Sequence, residues 1–154
     1  MGGYGRKDWS HFVPEVRARF DFPGCLDLRL IRTLEELEAA LANPSPFMAW
    51  DTETEGLDFV KHGLVGFSFA FDSHSGYYVP VRHHSEPSLG KPALDRFYNR
   101  LLQLKAGFVF NMRFDYRMME AAGYDIAKVP YFDVQVSVHL ADPDCKEISL
   151  KKSL

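Results

Sequence analysis

A mixed α/β sheet, three antiparallel strands followed by parallel crossovers and flanked by helices, is the fold class this sequence predicts. Three observations carry the prediction. A strand-like run followed by an amphipathic stretch opens the ordered part of the chain. Three apolar runs then follow within residues 47–81, separated by turns short enough for hairpins. From residue 93 onward, helical periodicity alternates with short apolar runs, as parallel crossovers require.

The elements follow in order. Residues 1–24 mix Gly, Pro and charge without a period and read as a loosely held arm, leaving 25–154 as one domain. LDLRLI (26–31) alternates apolar and polar residues as a half-buried strand does. Thr33, with Glu36 three residues on, forms a capping box for a helix with Leu34, Leu37 and Leu41 on one face, ending before Asn43-Pro44. Strands are expected at 47–53, 64–71 and 76–81, and a loop at 83–92. A helix over 93–104 carries Leu94, Phe97, Leu101 and Leu104 as its stripe. GFVF (107–110) reads as a buried strand, and 113–123 as a helix closed by Gly123 at C′. VPYFDV (129–134) leads into the apolar QVSVHLA, before the turn Asp142-Pro143-Asp144.

Composition sets bounds on function. The chain has 154 residues, 46% of them hydrophobic, with 13 Phe and 7 Tyr, which is enough to bury a core. A net charge of −3 gives no polycationic signature, so a passive nucleic-acid coat is disfavoured. Cys25 and Cys145 stand far apart without partners at ligand spacing, which favours a reducing compartment over a disulfide scaffold. The N-terminus lacks a secretory apolar region and no run approaches a membrane span, so the expectation is an intracellular, cytoplasmic protein with no membrane partner.

The most informative residues are acids. Asp51 and Glu53, at i and i+2 of the first core strand, project to one face with Cα atoms roughly 7 Å apart. Two adjacent carboxylates are costly unless they are solvated at a strand end or bound to a cation, and both readings stay open. Asp115 follows the GFVF strand on the next helix and shares a face with Met118, Met119 and Ala122. It is either a helix N-terminal acid favoured by the dipole or a cation ligand. Together the three match the oxygen donors that two hard divalent ions, Mg²⁺ or Mn²⁺, use in phosphodiester hydrolysis. His83 and His84 are read as solvated or minor substrate contacts, and Arg113 and Arg117 as a solvated helix face or phosphate contacts.

At these residues the sequence resembles the proofreading 3′–5′ exonuclease domain of family A DNA polymerases, of the DEDD superfamily. MAWDTETEGLD (48–58) looks like its first motif and FVFNMRFDYRMMEAAG (108–123) like its second. LVGFSFAF and YYVPV resemble the strands between, and FDVQVSVHLADPD (132–144) the following aspartate-and-helix segment. The resemblance covers roughly residues 46–154 in collinear order and implies a ribonuclease H-like fold. It further implies that Asp51 bridges both metals, Glu53 binds the nucleophile-side ion and Asp115 the other. Leu57 would wedge against the terminal bases. Asn111 and Phe114, with Gln135 nearby, would contact the 3′ end of a single DNA strand. The implied partner is a DNA polymerase domain, on the same chain or a separate one, in a bacterial or phage-infected cell.

The resemblance also implies a third motif, Tyr followed four residues later by Asp, which does not occur after Asp133. Tyr124-Asp125 and Tyr131 lie too early to replace it. The stretch EISLKKSL (147–154) begins another helix, so the domain is expected to be incomplete at its C-terminus. Weak Mg²⁺ binding and slow or absent cleavage by the chain alone are the consequence. Two other functions remain open, an RNA 3′-trimming exonuclease and a non-catalytic binding remnant.

Overall fold

A computed structural model describes residues 27–83 and 88–144. The expected arm (1–24), both cysteines, His84 and the helix at 147–154 lie outside the described residues. In chain order the elements are β1 (Asp27–Leu30), α1 (Leu34–Leu41), β2 (Phe47–Thr54), β3 (Leu64–Ala70) and β4 (Ser75–Pro80), then α2 (Gly90–Leu101), β5 (Ala106–Val109), α3 (Met112–Ala121), β6 (Tyr131–Asp133) and α4 (Val134–Ala141). A 3₁₀ turn, Ile126–Lys128, precedes β6.

One six-stranded sheet runs β1-β4-β3-β2-β5-β6. The pairs β2–β3 and β3–β4 are antiparallel, while β1–β4, β2–β5 and β5–β6 are parallel. This is the mixed sheet the sequence predicts. The long strand β2 is central, which places its C-terminal end at the middle of one sheet rim.

Alternation along β2 decides what faces what. Met48, Trp50 and Thr52 are buried, whereas Ala49, Asp51 and Glu53 are exposed. The buried face joins Phe67, Phe69 and Val79 of the neighbouring strands to Leu37 of α1 and Phe97 and Leu101 of α2. Phe97 stacks on Phe67 at 4.1 Å and meets Trp50 edge-on at 5.8 Å. Burying a ring of that size contributes roughly 1.5–3 kcal/mol. Gly107 is required here, since a Cβ on it would stand 2.6 Å from Trp50 Nε1.

Local chemistry explains the element ends. Thr33 and Glu36 form the expected capping box, each side chain bonding the other's backbone N–H. At the end of α3, Gly123 (φ +94°) donates to Glu120 O and Tyr124 donates to Met119 O, a Schellman closure.

Two expectations need correction. Helix α2 begins at Gly90 and ends at Leu101, because Pro92 fits a first turn, where its missing N–H is not needed. Leu104 is therefore buried in the connection rather than on the helix. Strand β1 is not half-buried along its length. Leu28 is exposed, and burial starts at Leu30 and Ile31, where the chain turns towards α1.

Candidate active site

The carboxylates come together because β5 is shorter than β2. Pairing between them covers Phe47 to Ala49 and then stops, as β5 leaves the sheet to begin α3. The N–H of Thr52 on that open edge still needs an acceptor. Asp115, one turn into α3, supplies it: its Oδ1 accepts from Thr52 N at 2.9 Å and from the Thr52 hydroxyl. A register shift between Glu53 and Thr54 then ends the regular β2–β3 ladder beside the acids.

This arrangement is electrostatically expensive. Asp115 is 1% exposed. Burial, with the nearby Asp51 charge, pushes its carboxyl up to about 7, although the Thr52 bonds pull it down. Although both side chains reach solvent, partial desolvation by the surrounding rim also raises Asp51, and the same desolvation with the Asp51 charge raises Glu53 against the pull of His83. Among the described residues, no lysine or arginine forms an ion pair with any of the three.

All seven residues nominated from the sequence border one cavity of about 480 Å³. Asp51 and Glu53 enter it from β2, and Leu57 from the loop beyond. Asn111, Phe114 and Asp115 enter from the start of α3, and Gln135 from the start of α4. Thr52, Thr54 and Phe110 complete the lining.

The loop carrying Leu57 is braced from several sides. The Thr54 hydroxyl bonds Gly56 O, and Asp58 O accepts from His62 N at 2.8 Å. Arg82 pairs with Glu55, and the Arg117 guanidinium lies 5.0 Å over Phe59. Leu57 itself is 84% exposed. Arg117 is thus an exposed residue with a packing role, and Phe114 rests partly against the core.

On the other side of Glu53, its register partner Gly66 lies under Tyr78, where a Cβ would stand 2.3 Å from the Tyr78 hydroxyl. That hydroxyl pairs with His83 Nε2 at 2.8 Å, and burial with the Glu53 charge pushes the phenol up to about 12. His83, half-buried and bonded to Tyr78, is therefore anchored rather than freely solvated, though it does not line the cavity. Sequence reasoning missed this, and it also missed Thr52. The available signal was a hydroxyl on the buried side of an apolar strand, which must find a partner.

The donors fit a hard divalent cation in kind: oxygen only, crowded and short of positive charge. Among the described residues, however, no group of three or more His, Cys, Asp or Glu side chains stands at ligand spacing. Asp115 is turned against Thr52. Asp51 and Glu53 are the residues that would hold such an ion.

Comparison with known proteins identifies the family. The family described as 3′-5′ exonuclease matches residues 28–152. DNA polymerase I of Borreliella burgdorferi is 28% identical over 121 residues, covering 77% of this chain and 13% of that protein. DNA polymerase I of Chloroflexus aurantiacus is 33% identical over 108 residues, covering 68% of this chain and 11% of that protein. The chain thus spans about an eighth of the length of these curated relatives. Among solved structures, Brucella melitensis NrnC superposes with a TM-score of 0.56 at 15% identity, covering 82% of this chain and 56% of that one. Escherichia coli RNase D, an exoribonuclease, gives 0.56 at 14%, covering 76% and 30%. These two likenesses establish the ribonuclease H-like fold. The match across most of the chain, with the mixed sheet and its acidic rim, places this protein in the 3′–5′ exonuclease family.

Proposed function

We propose that this chain takes the 3′ end of single-stranded DNA into the cavity between β2 and α3 and hydrolyses the terminal phosphodiester, as the proofreading domain of a DNA polymerase. The observation that most supports this is the convergence of three acids and four candidate strand contacts on one cavity. Two divalent ions, Mg²⁺ or Mn²⁺, would activate water and stabilise the leaving oxygen when bound. One structural neighbour, NrnC, has been solved with bound Mg²⁺.

The chain's own residues divide the remaining work. Asp51 and Glu53 present charge on the open face, and Asp115 adds a third carboxylate behind them. Leu57, on its braced loop, would meet the terminal base, and Phe114, Asn111 and Gln135, which line the same cavity, would contact the 3′ end. The similarity to bacterial DNA polymerase I supports DNA as substrate, a polymerase domain as partner and the cytoplasm as location.

The test is end-labelled single-stranded DNA and RNA incubated with the 154-residue chain and Mn²⁺, beside Asp51→Ala and Glu53→Ala. Expected is slow, metal-dependent loss of 3′ nucleotides from DNA that both substitutions abolish. Loss from RNA alone would transfer the activity to RNA. Cleavage that survives Asp51→Ala would rule out this site.

A further inference from the structure

Asp133, at the end of β6, does not line the cavity, and its contacts are specific. Its Oδ1 accepts from the backbone N–H of Gln135 at 2.9 Å, of Val136 at 3.3 Å and of Asn111 at 3.3 Å. Its Oδ2 accepts from Met112 N at 2.9 Å. The first two bonds make Asp133 the N-cap of its own helix, α4. The other two reach across the sheet to the first turn of α3, whose N-cap residue Asn111 makes no side-chain cap bond of its own.

Topology explains why one residue can do both. Strands β5 and β6 are parallel and in register, with Val109 opposite Asp133, so both helices leave the sheet at the same level. Their N-termini, each carrying partial positive charge, point at one location, where a single anion satisfies both. Both carboxylate oxygens are thus engaged by backbone donors, three on Oδ1 and one on Oδ2, which fits a structural anchor.

We propose that Asp133 is a positioning residue of the site: it locks the first turns of α3 and α4 together and so fixes Asn111 relative to Gln135 across the cavity rim. Asn111 is held in the left-handed conformation (φ +64°), which this bond from its N–H helps to maintain. The inference rests on reading the cavity as the groove for a 3′ end.

The experiment compares the full chain with its Asp133→Ser variant. Serine still caps α4 but is too short to reach Asn111 and Met112. Amide hydrogen exchange is read at residues 111, 112, 135 and 136, beside the Kd for a labelled single-stranded oligonucleotide and the Kd for Mg²⁺. Expected is exchange at Asn111 and Met112 accelerated by about tenfold, the loss of a charge-assisted bond, with Gln135 and Val136 little changed. The oligonucleotide Kd should weaken by about tenfold at a temperature where the variant is fully folded, while Mg²⁺ binding stays within about twofold.

A lowered melting temperature with unchanged oligonucleotide Kd would overturn the proposal and leave Asp133 merely structural. Should Asp133→Ser not fold, Asp133→Asn carries the same comparison, since its amide keeps one acceptor and turns a donor towards Met112. Failure of the unsubstituted chain to bind any oligonucleotide would instead remove the groove reading. The exchange rates would then still decide whether Asp133 locks the two helices.

Discussion

The Thr52–Asp115 contact sets a pH dependence that can be worked out in sign. Asp115 titrates near 7 in the folded chain and near 3.9 unfolded. Below about pH 4 both states hold the proton and the group costs nothing. Between about 4 and 7 only the folded state holds it, so stability falls as pH rises, and above 7 the full penalty is present. The metal-free chain should therefore lose more stability from pH 4 to 7 than Asp115→Asn does, as urea melts at each pH would show. Parallel profiles would refute the assignment. Asn111 allows a second test at this scale. Its left-handed backbone predicts that Asn111→Gly is tolerated, whereas Asn111→Ala costs roughly 1–2 kcal/mol in thermal melts. The grouping of Asp51 with Glu53 on one strand face was legible from alternation, and Asp115 from helix spacing, whereas Leu57, Asn111, Phe114 and Gln135 rested on the family resemblance. Thr52 and Asp133 were not legible, because their roles are bonds to groups 63 and 21 residues away.

Among the elements, the strands of the meander and the capped helix α1 were readable because their signals are local. Alternation, a capping box and short turns need no knowledge of tertiary contacts. The start of α2 was not, since Gly-Lys-Pro has a loop's composition and becomes helical only when the following stripe docks on Phe67 and Trp50. Gly123 provides a direct check on one boundary. A Cβ there meets nothing within 4 Å, so Gly123→Ala should cost only the left-handed backbone penalty, roughly 1–2 kcal/mol. Gly107→Ala should cost about as much or more for a different reason, since Trp50 must move. Near-ultraviolet circular dichroism separates the two: it should change for Gly107→Ala and not for Gly123→Ala.

Taken as a whole, the molecule sets its stability against its site. Three acids crowd the rim of a sheet that a helical layer otherwise holds firmly, and no described lysine or arginine forms an ion pair with them. Asp51→Asn should therefore raise the melting temperature of the metal-free chain by a few degrees. The same substitution should remove the rise in melting temperature expected when Mg²⁺ above its Kd occupies the proposed site. Differential scanning fluorimetry with and without Mg²⁺ reads both effects. A melting temperature that Mg²⁺ raises equally in both chains would place the ion elsewhere.

The short strand β5 has a consequence in time as well as in space. The β2–β3–β4 meander closes through short turns, whereas Asp115 must travel across 63 residues of chain to reach Thr52. Loop-closure entropy places that docking late in folding. On that ordering the like charges would meet only after the hydrophobic layer has formed. Asp115→Asn should accordingly slow unfolding and leave the refolding rate nearly unchanged, a division between the two limbs of a chevron that stopped-flow measurements can resolve.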